Sequence, residues 1–314
     1  MVVYFLQRSI SAAISILLVS ILVFIAVLAV PGDPAEIILG LNAHPEAISA
    51  LRETLGLNTP PFTRFFKWLG GIFTGDLGES LNYQKPVIHL IAERLQVSSL
   101  LAFGSVMVAM LISIPLGVLA ARKHGTLLDP LVITLSQLGA AVPSFWLGLM
   151  LILLFSVELR WLPAGGYVPW ERDPLGTLRS LLLPILALGL GQAAVMTRMT
   201  RAAMLDILVN DYIKTARGKG LPEFRIITFH AFRNALIPVV TIVGLSLTNI
   251  FIGSIIIEQV FALPGLGQLA LTAIGTRDYP LIQGEILVYA IAIVTFSFLV
   301  DISYGLLDPR IRYD

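Results

Sequence analysis

The sequence predicts an all-α integral membrane protein with six transmembrane helices and both termini in the cytoplasm. Three observations carry that prediction. Hydrophobic residues make up 56% of the 314 and charged residues only 13%, about half the ~25% charged fraction of an ordinary soluble domain. Mean hydropathy is +0.86, more apolar surface than a water-soluble fold of 34.1 kDa can hide. Stretches free of Asp, Glu, Lys and Arg recur at the length a bilayer demands, roughly 20 helical residues for a core ~30 Å thick. Together these exclude disorder, coiled coil, collagen and nucleic-acid-binding arms. The net charge of +1 is silent as a sum, so only the placement of charges informs. The absence of cysteine removes disulfides, thiolate metal sites and Cys nucleophiles.

Taken in order, the uncharged stretches are Ser9–Gly32, Leu95–Ala121, Pro130–Val157, Ser180–Thr197 and Asn234–Ile257. The first span lies within residues 1–30, and the next four fall at about 97–121, 131–157, 180–197 and 235–257. A sixth, Ile286–Val300, lies between Glu285 and Asp301 and spans as 282–304 if its helix begins near Leu281. Ser9–Val30 exceeds the ~7–15-residue core of a signal peptide and runs into Pro31, so it reads as an uncleaved span. Gln259–Thr276 is also uncharged, but Pro264, Gly265, Gly267 and Gln268 would break a lipid-exposed helix. It is placed in a loop, with re-entry into the membrane left open.

Direction follows from the basic residues. With the N-terminus inside, the cytoplasmic side holds Arg8, Arg122, Lys123, Arg198, Arg201, Lys214, Arg217, Lys219, Arg225, Arg233, Arg310 and Arg312. The short outer loops hold Arg160, Arg172, Arg179 and Arg277, so the count is twelve against four. Residues 31–94 then form an extracytoplasmic loop, 95–307 the main membrane domain, 198–233 its long inner connection, and 308–314 a cytoplasmic tail.

In the outer loop, Pro45–Leu57 reads as a short helix with Ile48, Leu51 and Leu55 on one face and Gly56 as its stop. Phe62, Phe65, Phe66, Trp68 and Phe73 follow. They read either as an interfacial aromatic belt or as a docking face for an external partner. In the inner connection, Ala202–Gly220 reads as one helix with Leu205, Val209, Tyr212 and Ala216 along a stripe and Asp206, Asp211, Lys214 and Arg217 elsewhere. Gly220 and Pro222 stop it, and Glu223 opens a second helix that leads through His230 and Arg233 to the fifth span, where Pro238 would kink it. The first helix either lies on the membrane or fits a partner's groove.

Catalytic signatures are missing. Gly218-Lys219-Gly220-Leu221 lacks the spacing and hydroxyl of a phosphate loop, and neither HExxH nor GxSxG occurs. His44, His89, His124 and His230 are scattered outside the spans, so no metal, cofactor or catalytic residue is expected. The spans hold almost no ionisable groups, whereas a proton- or sodium-driven carrier needs them along its path. Uphill transport by this chain would therefore draw its energy from another subunit.

Several segments resemble one family. They are Pro31-Gly32-Asp33-Pro34-Ala35, Gly75-Asp76-Leu77-Gly78, Val142-Pro143-Ser144-Phe145-Trp146 and Asp211 through Leu221. His230 through Pro238, Glu258-Gln259-Val260-Phe261 with Pro264-Gly265-Leu266-Gly267, Arg277-Asp278-Tyr279-Pro280 and Asp308-Pro309-Arg310 complete the set. In order and number they resemble the permease subunits of the dipeptide/oligopeptide/nickel branch of bacterial ABC importers. The resemblance implies a type I importer membrane domain from about Leu95 to Leu307 in the bacterial inner membrane. It also implies a second homologous permease subunit, two ATP-binding subunits and an extracytoplasmic solute-binding protein as partners, with no nucleic acid and no cofactor. Asp211, Tyr212, Lys214, Thr215, Ala216, Arg217, Gly220 and Leu221 would form the helix that docks on the ATPase. With Gly220 on the glycine of the family's Glu-Ala-Ala loop, Lys214, Thr215 and Ala216 take the Glu-Ala-Ala positions, of which only Ala216 matches. Gly218 stands where the branch more often has alanine, at a cost of ~1 kcal/mol within a helix. Tyr212 and Ala216 are the expected packing face toward the partner. The solute is read as a peptide by the branch, with nickel chelates, glutathione and another small solute as alternatives. A secondary carrier and a membrane-embedded enzyme or scaffold are the readings from other classes.

Overall fold

The computed structural model describes residues 2–29, 35–36, 44–54, 56 and 58–307. Pro31–Pro34, Leu55 and the tail from Asp308 lie outside the described residues. The described chain is helical, with one isolated β-bridge between Glu79 and Pro86. Its helices are α1 (Val2–Ala29), α2 (Pro45–Thr54), α3 (Pro61–Thr74), α4 (Val87–Arg122), α5 (Leu128–Ala141), α6 (Ser144–Leu151) and α7 (Pro174–Leu208). There follow α8 (Asp211–Gly218), a long α9 (Glu223–Val260), α10 (Leu266–Gly275) and α11 (Tyr279–Leu307). Five are long and apolar enough to cross a membrane, α1, α4, α7, α9 and α11, and a bent pair makes a sixth if counted as one span.

That pair departs from the straight third span expected over 131–157. The chain turns by 92° between α5 and the helical run Ser144–Glu158. Pro143 removes a backbone donor and pushes the residue before it out of the α region; Val142 accordingly lies at φ −82°, ψ 122°. Beyond Leu151 the run widens into a π-helix, Ile152–Glu158. The fourth span is longer than its uncharged stretch. Asp173 caps α7 by accepting from the Leu175 N–H at 3.1 Å, and the helix carries Arg179, Arg198 and Arg201 along its ends. Pro115, Pro184 and Pro238 sit inside continuous helices, so the kink expected at Pro238 does not break α9. The Pro264–Gly265 turn precedes α10 instead of interrupting it, so Gln259–Thr276 is a loop followed by a helix.

The described residues form two compact units. The first draws on Met1–Leu6, Gln96–Gln268 and Thr295–Asp314. Its spine is α7, packed against α5, α6 and α9. Glycines bring α4 close to α7: a side chain at Gly117 would strike the Thr197 carbonyl, and one at Gly189 would strike the Ser105 carbonyl. Close backbone approach through small residues is how helices pack where lipid removes the hydrophobic drive. The second unit draws on Gln7–Leu95 and Leu269–Val294. Leu77, Val87, Ile91 and Leu281 are buried there, with Gly284 admitting the Val87 side chain.

Candidate functional site

The inner connection is two helices, not one. Asn210 breaks the run: its Nδ2 donates to the Asp206 carbonyl at 3.2 Å, and its backbone is extended at ψ 148°. A side chain bonding its own backbone in this way competes with helix propagation. The Asn210 carbonyl then accepts from the Ile213 and Lys214 amides, at 3.1 and 3.3 Å, to start α8. Asp211 in its first turn and Arg217 in its last suit the helix dipole. The helix closes on Gly220, at φ +75°, with the Gly220 N–H donating to the Arg217 carbonyl and the Leu221 N–H to that of Ala216. Left-handed backbone is the reason for glycine there. Gly218 is the last helical residue, in open space, so the expected penalty falls on a frayed end.

An eight-residue helix is unstable alone; its position comes from what it buries. Ile213 and Ala216 are buried in a cluster with Ala121 of α4, Met204 of α7, and Ile226, Ile227, Ala231 and Ala235 of α9. Leu205, Leu208 and Leu221 pack around it. Two polar ties add to this seat. Asn234 Nδ2 donates to Tyr212 Oη at 3.1 Å. Arg217 donates through Nη2 and Nε to the two Glu223 oxygens, at 2.8 and 3.2 Å. The carboxylate raises the Arg217 guanidinium above its ordinary pKa, so the cation stays charged.

The predicted packing face is therefore corrected. Ala216 turns into the chain's own core and cannot meet a partner, while Tyr212 is 44% exposed. The outer surface of α8 consists of Asp211, Tyr212, Lys214, Thr215, Arg217 and Gly218. Lys214 and Asp211 pair across it at 2.8 Å. Gly220 is exposed and Leu221 half-buried in the turn that follows.

Three charged constellations carry roles that sequence reasoning did not assign. Arg201 on α7 donates through Nε and Nη2 to both oxygens of buried Asp129, and His124 Nδ1 lies 2.8 Å from the same carboxylate. This clamp ties the α4–α5 turn to α7. Glu258, fully buried near the end of α9, accepts from Ser98 Oγ at 2.7 Å, Ser254 Oγ at 3.1 Å and the Gln268 N–H at 3.2 Å. Ser98 in turn accepts from the Leu266 N–H at 2.8 Å. A side chain on Gly265 would overlap the Glu258 carboxyl, which explains the glycine. In the second unit, Asp278 accepts from Ser80 Oγ, from the Asn82 N–H at 3.1 Å and from the Leu281 N–H at 3.3 Å. The segment just after the Gly75–Gly78 motif, Ser80 to Asn82, thus meets the Arg277–Pro280 motif as one staple. The sequence signal in each case was an acidic residue bordering an apolar run.

An apolar cavity of about 380 Å³ lies at the bend, lined among others by Leu116, Val132, Ser136, Trp146, Ala193 and Thr197. Thr197 Oγ1 bonds the Ala193 carbonyl of its own helix at 2.7 Å. Among the described residues no three His, Asp or Glu side chains cluster as metal ligands.

The family model described as binding-protein-dependent transport system inner membrane component matches residues 113–313. The chain belongs to that family. A companion model for the N-terminal part of the same membrane components matches residues 1–102. A chain of Brucella abortus (strain 2308), named for a peptide transport system permease, is 44% identical over 309 residues, 98% of each chain. The glutathione transport system permease protein GsiC of Escherichia coli (strain K12) is 38% identical over 310 residues, 99% of each. The oligopeptide transport system permease protein AppB of Bacillus subtilis (strain 168) is 38% identical over 316 residues, all of both. A solved chain of the inward-facing MetNI methionine ABC transporter matches at TM-score 0.59 and 20% identity, covering 70% of this chain and 97% of that one. At that identity the match speaks for the fold, that of a type I importer permease. This family member is a multi-pass protein of the cytoplasmic membrane and a transport permease subunit.

Proposed function

We propose that this permease carries di- or oligopeptides inward by alternating access, powered by ATP hydrolysis on separate subunits that act through α8. Two ATP-binding subunits, a second homologous permease chain and an extracytoplasmic binding protein complete the assembly. The termini and α8 lie on the cytoplasmic side, in keeping with the surplus of basic residues there. The observation that carries the reading is the seat of α8. A short helix is bolted by Ile213, Ala216, Arg217 and Tyr212 onto α4, α7 and α9 while it presents a polar outer face. A push on that face is passed to three long helices at once, because packed interiors transmit displacement instead of absorbing it. Among the described residues, the buried carboxylates Glu258 and Glu285 stand near the ends of α9 and α11, unlike the relay along the path that a carrier driven by protons or sodium needs.

Peptide as solute rests on the names of AppB and the Brucella chain, and GsiC favours glutathione as the second reading. Nickel chelates and other small solutes are the remaining alternatives. Uptake by vesicles holding the whole assembly, with dipeptide, pentapeptide and glutathione each offered with the cognate binding protein, separates them. Peptide uptake that stops without ATP supports the proposal. Uptake that continues without ATP, or of glutathione alone, overturns the power source or the solute respectively.

A further inference from the structure

The aromatic residues of α3 divide into two sets. Phe65 and Trp68 turn toward α1, with ring centroids 5.3 and 6.3 Å from that of Phe24. Phe62, Phe66 and Phe73 turn the other way and are 75%, 52% and 85% exposed. Their spacing of four and seven residues places them on one stripe of the helix. Arg64 and Lys67 occupy the remaining sides. Among the described residues none covers the phenylalanine stripe, although Phe62 and Phe66 stack edge-on within it at 4.6 Å.

The contact with Phe24 fixes the depth of α3. The apolar run of α1 is Phe5–Ala29, 25 residues, with Leu17 at its middle. Phe24 is seven residues beyond, about 10 Å along the axis at ~1.5 Å per residue. The hydrocarbon half-thickness is about 15 Å, so Phe24 lies a few ångströms inside the boundary between acyl chains and headgroups. A helix whose rings touch Phe24 sits at that boundary. The exposed surface of α1 beside it, Leu22, Ile25 and Leu28, is already lipid-facing by the composition of the span. The exposed phenylalanines of α3 present an apolar face of the same kind.

We propose that α3 is an interfacial helix, with Phe62, Phe66 and Phe73 seated in the acyl–headgroup boundary of the bilayer and Lys67 at the water side. The bilayer is the occupant, not a protein. Aromatic rings are favoured at this level, and helices of this pattern bury their apolar face about 5–10 Å into the boundary. The role is to hold the second unit against the membrane independently of any external partner. Gly75, left-handed at φ +78°, then ends the helix and turns the chain away toward the Asp278 staple.

The chain has no cysteine, so with the cysteines of the partner subunits replaced, single spin labels report without background. Phe66→Cys, Phe73→Cys and Lys67→Cys are labelled with a nitroxide in the assembled transporter, in phosphatidylethanolamine–phosphatidylglycerol vesicles lacking binding protein. Accessibility to oxygen is compared with that to a water-soluble nickel chelate. The oxygen-to-nickel ratio is expected above one at positions 66 and 73 and below one at 67. Phe62→Cys replaces either position if a variant fails to assemble. A ratio below one at 66 and 73 overturns the proposal. So does nickel protection that appears there only when binding protein is added, which would make the stripe a protein-docking face.

Discussion

Replacing Ile213 by alanine separates the seat of α8 from its outer surface. Ile213 is fully buried against Met204, Ile226 and Ile227. Truncation of such a side chain costs about 2–5 kcal/mol. The loss falls on one eight-residue helix, too short to hold itself, so it appears as local opening before global unfolding. At ~1.4 kcal/mol per tenfold, the lower bound of 2 kcal/mol corresponds to about 30-fold more opening. The amides of Lys219, Gly220 and Leu221, which donate back into α8, are the reporters. Hydrogen exchange of the assembled transporter in lipid discs reads them directly. Ile213→Ala is expected to speed their exchange by about 30-fold or more and to lower ATP-driven uptake with it. Lys214→Ala removes only an exposed ion pair, worth under about 0.5 kcal/mol, and leaves their exchange within about twofold. Unchanged exchange in Ile213→Ala would refute the claim that this core positions α8.

Gly220→Ala meets no atom within 4 Å and pays only for left-handed backbone, about 1–2 kcal/mol. A lower thermal midpoint that Gly220→Asn partly restores is expected, and equal midpoints for all three would contradict the turn. Glu258→Ala removes the acceptor of the Ser98 O–H and of the Gln268 N–H, at about 1–3 kcal/mol for a buried donor left unpaired. Glu258→Gln keeps an acceptor and should lose less, a ranking that thermal denaturation in detergent checks. Asp129→Asn leaves the Arg201 guanidinium facing a neutral amide; because Arg201 is 22% exposed, a loss at the lower end of the range for a broken buried pair, about 3 kcal/mol, is expected. A midpoint unchanged from the parent would show that the clamp carries no stability.

The spans were legible because transfer into hydrocarbon dominates everything else in their composition. Their ends were not. Arg179, Arg198 and Arg201 mark the limits of an uncharged stretch, whereas α7 runs on past them to Pro174 and Leu208. Hydropathy also gave no sign that Pro143 bends one apolar stretch by 92° while Pro115, Pro184 and Pro238 bend nothing comparable. A proline's effect depends on which neighbours re-satisfy the freed carbonyl, and that is tertiary information. The α8 segment was placed from its motif, but its faces were misassigned at Ala216. An amphipathic stripe says which residues are buried, not against what. Glu258 and Asp278 stood in recognised motifs with no role, because each buried carboxylate is completed by a donor far along the chain, Ser98 and Ser80, 160 and 198 positions away.

The most direct measurement is solute accumulation in sealed vesicles containing the permease alone, or the whole assembly with and without ATP inside the compartment that faces α8. Accumulation only with the partners and ATP, lowered by Ile213→Ala, is the predicted result. Accumulation against a gradient by the permease alone would contradict a chain that is worked from its cytoplasmic helix.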